Sequence, residues 1–350
     1  MVPGFPDSHF GFTSLAKRLS SSTASSSSEN CLIGVICLPG YEEEEDDGDE
    51  SNNDGGDANA NSNIDSTDNN NRTCAPDGYT FDDWIAVVRE AVKKLLSLSL
   101  TTSSTLTRKD ITLTGIFHDW GVVAGLKYVN QILLEEEEED TDEGTAVVVD
   151  QRIDQLVILD VLPMPHPTAN AYNTTAKPSS SLSWRDKFCI GTYQFALAIS
   201  FLLYQYIPTY IAFIFMWITE FVLRTTNTYP LSIDDYTYLH TINVLPVRCD
   251  ANAIKRLGYM CYPYRNVVRR YVSDSGRKSI FALATLPPRK ANIPILFMYG
   301  NNKSVPLHDT NSLQYLIEIG SKVVSVDDAG HWLHQTHEDQ CFTEIQHFIF

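Results

Sequence analysis

Two spacings of apolar residues organise this chain. Asp110-Ile111-Thr112-Leu113-Thr114 alternates polar and apolar positions and predicts a strand, and the apolar segment from Val122 to Leu134 predicts a helix. Cys31 to Cys37, Gln155 to Leu159, Ile293 to Tyr299 and Val323 to Val326 are short apolar runs that predict strands. Phe81-Asp82-Asp83-Trp84 opens an amphipathic helix running to about Leu96, with Trp84, Val87, Val88, Ala91 and Leu95 on one face. A closing helix is predicted from about Glu338 to Phe350.

The densest signal lies between the first strand and helix, in Gly115-Ile116-Phe117-His118-Asp119-Trp120-Gly121-Val122-Val123-Ala124-Gly125. A strand, a tight turn flanked by small residues, then a helix is the context of a nucleophile elbow. Such a turn lifts one side chain onto the carboxyl edge of the sheet. Here that side chain is the carboxylate of Asp119. A carboxylate attacks carbon by displacement or ring opening and leaves an alkyl ester on the enzyme. That chemistry points to epoxides or alkyl halides. Helix capping by Asp119 is the competing explanation of the same residue.

The His-Asp-Trp-Gly elbow resembles the α/β-hydrolase superfamily in its epoxide hydrolase and haloalkane dehalogenase branch. Pro3-Gly4-Phe5-Pro6-Asp7-Ser8 is similar to that family's oxyanion loop, with Pro3 where the family has histidine. Leu38-Pro39-Gly40-Tyr41 is similar to the loop after its fourth strand, and Gly330-His331-Trp332 to the turn that presents its catalytic histidine. The resemblance implies an α/β-hydrolase fold, a mostly parallel sheet flanked by helices with an inserted helical cap. The family's three strands before the oxyanion loop are expected to be missing, since that loop begins at Pro3. It divides the chain into core over 1–160 with low-complexity inserts at 42–71 and 135–145, cap over 161–292 with an apolar segment at 188–219, and the rest of the core over 293–350.

The resemblance also implies roles. Asp119 is the nucleophile, and His331 activates the water that cleaves the ester. The backbone amides of Phe5 and Trp120 form the oxyanion hole. The acid that orients His331 usually follows the strand Ile293 to Tyr299. Here that loop reads Asn301-Asn302-Lys303-Ser304, with no acid. Some dehalogenases carry the acid after the preceding strand, where this chain has Asp160, with Asp309 as the second choice. Tyr262-Pro263-Tyr264-Arg265-Asn266 resembles the epoxide hydrolase cap segment that carries a ring-opening tyrosine. Tyr264 is therefore the expected proton donor, and Tyr193 is a weaker match to the family's second lid tyrosine. Phe5 beside the oxyanion loop, where halide binding would want Asn or Trp, favours epoxide over haloalkane. The expected activity is epoxide opening to a diol. A dehalogenase and a non-catalytic, membrane-associated relative are the alternatives, the latter favoured by Pro3, Lys303 and the missing strands.

Composition adjusts this picture. At 350 residues there is room for one large α/β domain and a cap. The net charge of −18 is concentrated in Glu42 to Glu50 and Glu135 to Glu143, runs expected to be solvated, so nothing suggests a nucleic-acid surface. The seven cysteines lack metal or framework spacing and are expected to be free thiols. No signal peptide is visible, so an intracellular site is expected, in the cytoplasm or at a membrane such as the endoplasmic reticulum. No cofactor or metal motif occurs. The expected partners are a small lipophilic substrate (epoxide or alkyl halide) and water. Phe188 to Thr219 carries no charge and is long enough to span a bilayer. Pro208 near its middle predicts a break into two helices, and a hydrophobic cap touching the membrane surface is preferred to a spanning helix.

Overall fold

The computed structural model describes residues 1–3, 9–23, 31–39, 78–102, 107–139, 151–163, 184–206, 261–272, 284–303, 306–308 and 310–350. Four strands, β1 (Thr114–His118), β2 (Gln155–Leu159), β3 (Ile295–Gly300) and β4 (Lys322–Val326), form a parallel sheet in the order β1-β2-β3-β4. Eight α-helices accompany them among the described residues: α1 (Thr13–Thr23), α2 (Phe81–Thr102), α3 (Trp120–Glu139), α4 (Trp184–Tyr206), α5 (Tyr262–Val272), α6 (Thr310–Glu318), α7 (Leu333–Thr336) and α8 (Glu338–Ile349).

Parallel strands need crossovers, and these cover both faces of a sheet. The strand residues divide accordingly. Phe117, Leu156, Ile158, Ile295 and Phe297 enter one core with Trp84 and Val88 of α2 and Val122 and Leu126 of α3. Ile116, Val157, Leu159, Leu296 and Met298 enter a second core with Phe12, with Leu15 and Leu19 of α1, and with Cys341 and Ile345 of α8.

The sheet continues beyond β1 without forming a further strand among the described residues. Val2 bridges Phe117 in parallel: its N–H donates to Ile116 O at 2.8 Å, and His118 N–H donates to Val2 O at 3.1 Å. On the other side, Met1 N donates to Gly34 O at 2.7 Å and Ile36 N to Met1 O at 2.8 Å. The predicted strand at Cys31 to Cys37 is thus an extended, half-buried segment hydrogen-bonded at a few points.

Three further expectations are corrected. The strand before the elbow is Thr114–His118, not the alternating Asp110 to Thr114. A strand buried on both faces has no reason to alternate. The buried stripe of α2 is Phe81, Trp84, Val88, Val92 and Leu96, while Val87, Ala91 and Leu95 lie at its margin, and the helix continues to Thr102. The third correction concerns Glu135 to Glu139, which are not part of a loop. They are the last turn and a half of α3. Glu135 accepts from Arg89 at 2.6 Å, Glu136 lies 3.7 Å from Arg152, and Glu137 pairs with Lys290. Cations from three distant parts of the chain offset the repulsion within the acidic run.

The segment between β2 and β3 supplies α4 and α5, which pack on each other. Phe201 of α4 meets Tyr262 edge-on at 6.5 Å, and the Arg265 guanidinium lies over the Phe201 ring at 5.3 Å. A hydrogen-bond relay ties α5 to the core: Trp84 Nε1 donates to Tyr262 Oη at 2.5 Å, and Tyr262 Oη donates to Pro39 O at 2.8 Å. No helix among the described residues is long and apolar enough to cross a membrane. Pro208 and the apolar run beyond Tyr206 lie outside the described residues, as do the inserts 42–71 and 140–145. Cys31, Cys37, Cys261 and Cys341 are free thiols.

Candidate active site

All four strands point the same way, so their carboxyl ends share one edge, where ligands bind in open α/β sheets. Asp119 follows β1, Asp160 follows β2, Lys303 lies three residues beyond β3, and His331 follows β4. Residues far apart in sequence meet there because the topology gives them no other place.

Asp119 has φ 48° and occupies the turn between β1 and α3, with Val122 N donating back to its carbonyl at 3.0 Å. That left-handed conformation costs a non-glycine residue about 1–3 kcal/mol, and its sharp turn is what presents the side chain at the sheet edge. Gly121 makes the turn possible. A Cβ there would come within 2.1 Å of Val2 O and 2.7 Å of Pro3 O. The elbow is therefore pressed against the segment that leads into Gly4 to Ser8. Phe5, the expected second oxyanion donor, lies outside the described residues, and so does Asp309. Trp120 is the first residue of α3, where the first backbone N–H groups have no helical acceptor.

His331 sits between two carboxylates. Its Nδ1 is 2.5 Å from Asp160 Oδ2, and its Nε2 is 3.8 Å from Asp119 Oδ1. Asp160 also has a left-handed backbone, φ 68°, with its N–H donating to Met298 O at 2.7 Å. The side chain of Asp160 is fully buried, whereas that of Asp119 is 15% exposed. The second Asp160 oxygen, Oδ1, accepts from Gly300 N at 3.4 Å and pairs with the ammonium of Lys303, whose side chain is 2% exposed. Burial by itself would raise the Asp160 carboxyl. The Lys303 cation and the His331 hydrogen bond outweigh it and hold the group below its usual range.

The loops after β3 and β4 are bound together. Asn302 N donates to Ala329 O at 2.9 Å, Asp328 N to Asn301 Oδ1 at 3.0 Å, and Asn301 Nδ2 to Asp327 at 2.7 Å. A Cβ on Gly300 would stand 2.3 Å from the carbonyls of Ala329 and Gly330, so glycine lets these loops touch.

Tyr264, near the start of α5, is buried against the elbow, its ring meeting Trp120 edge-on at 5.1 Å and 88°. Trp120 also contacts Phe81 and Trp84, at 6.0 Å for the latter, and its Nε1 is buried with no hydrogen-bond acceptor among the described residues. Tyr193 lies in α4, with its side chain outside the described atoms.

The structure thus brings Asp119, His331, Asp160 and Lys303 together and places Tyr264 against Trp120. Sequence reasoning noted Lys303 only as a departure from the family pattern. The charge partner of a buried acid on another loop carries no local signal. It also passed over His118. That imidazole is buried with its ring 4.6 Å from His331 and 4.4 Å from His334, and its Nε2 lies 3.0 Å from His331 O. Burial, reinforced by repulsion from the two neighbouring imidazoles, holds its pKa well below 6.5. A polar residue inside an otherwise apolar strand was the available clue. Among the described residues no cluster of His, Cys, Asp and Glu is arranged to hold a metal ion.

No protein-family model matches this sequence, and no curated protein matches it. Solved structures do. An epoxide hydrolase from Bacillus megaterium is 13% identical, with a TM-score of 0.51 over 99% of this chain and 91% of that one. A haloalkane dehalogenase variant from Bradyrhizobium elkanii is 11% identical, with a TM-score of 0.49 over 99% and 87%. The chain has the α/β-hydrolase fold.

Proposed function

We propose that this chain is an α/β hydrolase of the epoxide hydrolase type, working through a covalent ester on Asp119. One observation carries the reading: a carboxylate in a left-handed elbow turn faces the imidazole of His331, whose other nitrogen is held by a buried acid. An Asp119 oxygen attacks an epoxide carbon, the ring C–O bond breaks, and Tyr264 gives its phenolic proton to the departing oxygen. A water between His331 Nε2 and the ester then loses a proton to the imidazole and attacks the Asp119 carboxyl carbon. Charge developing on the ester oxygen is met by the amides of Trp120 and Phe5. Collapse releases a diol and restores the carboxylate, and the proton held by the imidazolium returns through water to the Tyr264 phenolate. In this reading α4 and α5 belong to the lid over the site, and the Tyr264–Trp120 contact supports that placement. The lipophilic character of the expected substrate rests on the apolar composition of the same region.

A second reading has its own support. The buried Trp120 Nε1 beside the proposed nucleophile is a donor without an acceptor among the described residues, and an indole N–H suits a halide leaving group. Dehalogenation would use Asp119, His331 and Asp160 unchanged and would not need Tyr264. A single experiment separates these readings. Single turnover in oxygen-18 water, alkylation followed by ester hydrolysis, over a panel of lipophilic epoxides and haloalkanes, should place label in the Asp119 carboxyl with epoxides. Label with haloalkanes alone makes the protein a dehalogenase. No label in Asp119 with either class, while Asp119→Ala remains folded, refutes covalent catalysis.

A further inference from the structure

His331 can serve as a base only if it is unprotonated when the ester waits for water, and its surroundings oppose that. Carboxylates approach both ring nitrogens, at 2.5 Å and 3.8 Å. Alkylation removes the charge of Asp119 but leaves that of Asp160. A buried carboxylate 2.5 Å from an imidazole strongly favours the imidazolium. The loop after β3 supplies the missing counter-charge. The Lys303 ammonium pairs with Asp160 Oδ1, its side chain nearly as buried as the acid. With Gly300 N on the same oxygen, Lys303 also turns Oδ2 toward His331 Nδ1.

Among the described residues, the other titratable groups that face His331 are Asp119, His118 and, beyond it, His334. Asp119 comes from the turn after β1. His118 comes from β1 itself, its ring 4.6 Å away, and His334 of α7 stands 4.4 Å beyond His118. The Trp332 ring packs against His331 at 4.6 Å and carries no charge. Among the described residues Lys303 is the cation on the Asp160 side of the ring.

We infer that Lys303 is a positioning residue that neutralises and orients Asp160, so that His331 remains an unprotonated base near neutral pH. The catalytic consequence rests on the hydrolase reading above. The electrostatic one rests on the geometry alone. The net charge of the Asp160–Lys303 pair is zero, so Asp160 can orient the imidazole and accept its Nδ1 proton in a hydrogen bond without pulling a second proton onto Nε2. This chain would then run its base at a lower pH than a lone Asp–His pair allows.

The test is the titration of the His331 ring, followed by NMR and assigned by the resonance missing in His331→Gln. In Lys303→Met the midpoint should rise by about one pH unit, because the neutralising charge is gone. Lys303→Gln, which keeps a donor for Asp160 without the charge, should do the same and carries the test if the methionine variant fails to fold. Lys303→Arg should titrate like wild type. If an epoxide or haloalkane alkylates Asp119, the acidic limb of ester hydrolysis should move up with the ring midpoint. Unchanged ring titration in the folded neutral variants overturns the inference. A shifted ring titration in a protein that alkylates with no substrate upholds it and instead defeats the catalytic reading.

Discussion

The buried pair of Asp160 and Lys303 makes an asymmetric prediction about stability. The two side chains are 0% and 2% exposed. Removing one leaves the other as an uncompensated charge in a low-dielectric site, a loss of about 3–5 kcal/mol. Removing both leaves no charge to desolvate, and well-packed neutral replacements are often close to neutral in stability. Asp160→Asn should therefore be severely destabilised by a stranded ammonium, and Lys303→Met by a stranded carboxylate. That second loss is smaller, because the acid keeps Gly300 N and His331 as partners. Asp160→Asn/Lys303→Met should recover most of both losses, leaving a coupling of roughly 2–4 kcal/mol, within the range of contacting pairs or above it. Urea denaturation of the four proteins at pH 7 measures the cycle directly. The pH dependence gives an internal control. The Asp160 carboxyl is held below its unfolded value, so the pair's stabilisation is complete above about pH 4 and is lost as pH falls further, through the folded value. Additive single losses, with a double variant less stable than either single one, would refute the claim that the charges offset one another.

Other outcomes follow from the same geometry. Tyr264→Phe should slow alkylation by an epoxide by about 10²–10⁴-fold and leave hydrolysis of a preformed ester nearly unchanged, as stopped-flow comparison of the two half-reactions would show. His118 is buried with its pKa held well below 6.5, so the unfolded chain binds the extra proton first. Stability should fall as pH drops below about 6.5, by up to about 1.4 kcal/mol per pH unit, and His118→Gln should flatten that part of the urea-midpoint profile. Phe188, Phe195 and Leu202 recur every seventh residue along α4 and are 40–56% exposed, a stripe suited to resting on a membrane surface. The protein should bind membranes yet leave on carbonate extraction. Retention after carbonate would contradict a peripheral contact.

Some of this architecture was legible in the chain. β2 stands where the apolar run Gln155 to Leu159 predicts it, and β3, β4 and α8 lie within two residues of their expected limits. The elbow announced itself because small residues bracket a lone carboxylate between strand and helix. What the sequence could not show was decided by partners far along the chain. β1 is Gly115 to His118 with Thr114, rather than the better-alternating residues before it, because helices cover both sides of the sheet and remove the need to alternate. The buried stripe of α2 is set by where α3 and α5 touch it. Glu135 to Glu137 are helical because Arg89, Arg152 and Lys290 reach them. Lys303 read as a defect until the fold put Asp160 beside it.

The turn at Asp119 also bears on how this sequence can change. At φ 48° a glycine would sit without strain, and even asparagine would keep the shape without the charge. The backbone strain alone therefore favours glycine over aspartate at this turn, by the about 1–3 kcal/mol that a left-handed conformation costs a residue with a Cβ. At Asp160, φ 68°, the balance is the opposite: a glycine would relieve the turn but strand the buried Lys303 ammonium, so folding alone retains that acid. Of these two left-handed turns, the one at Asp119 should therefore tolerate glycine far better than the one at Asp160.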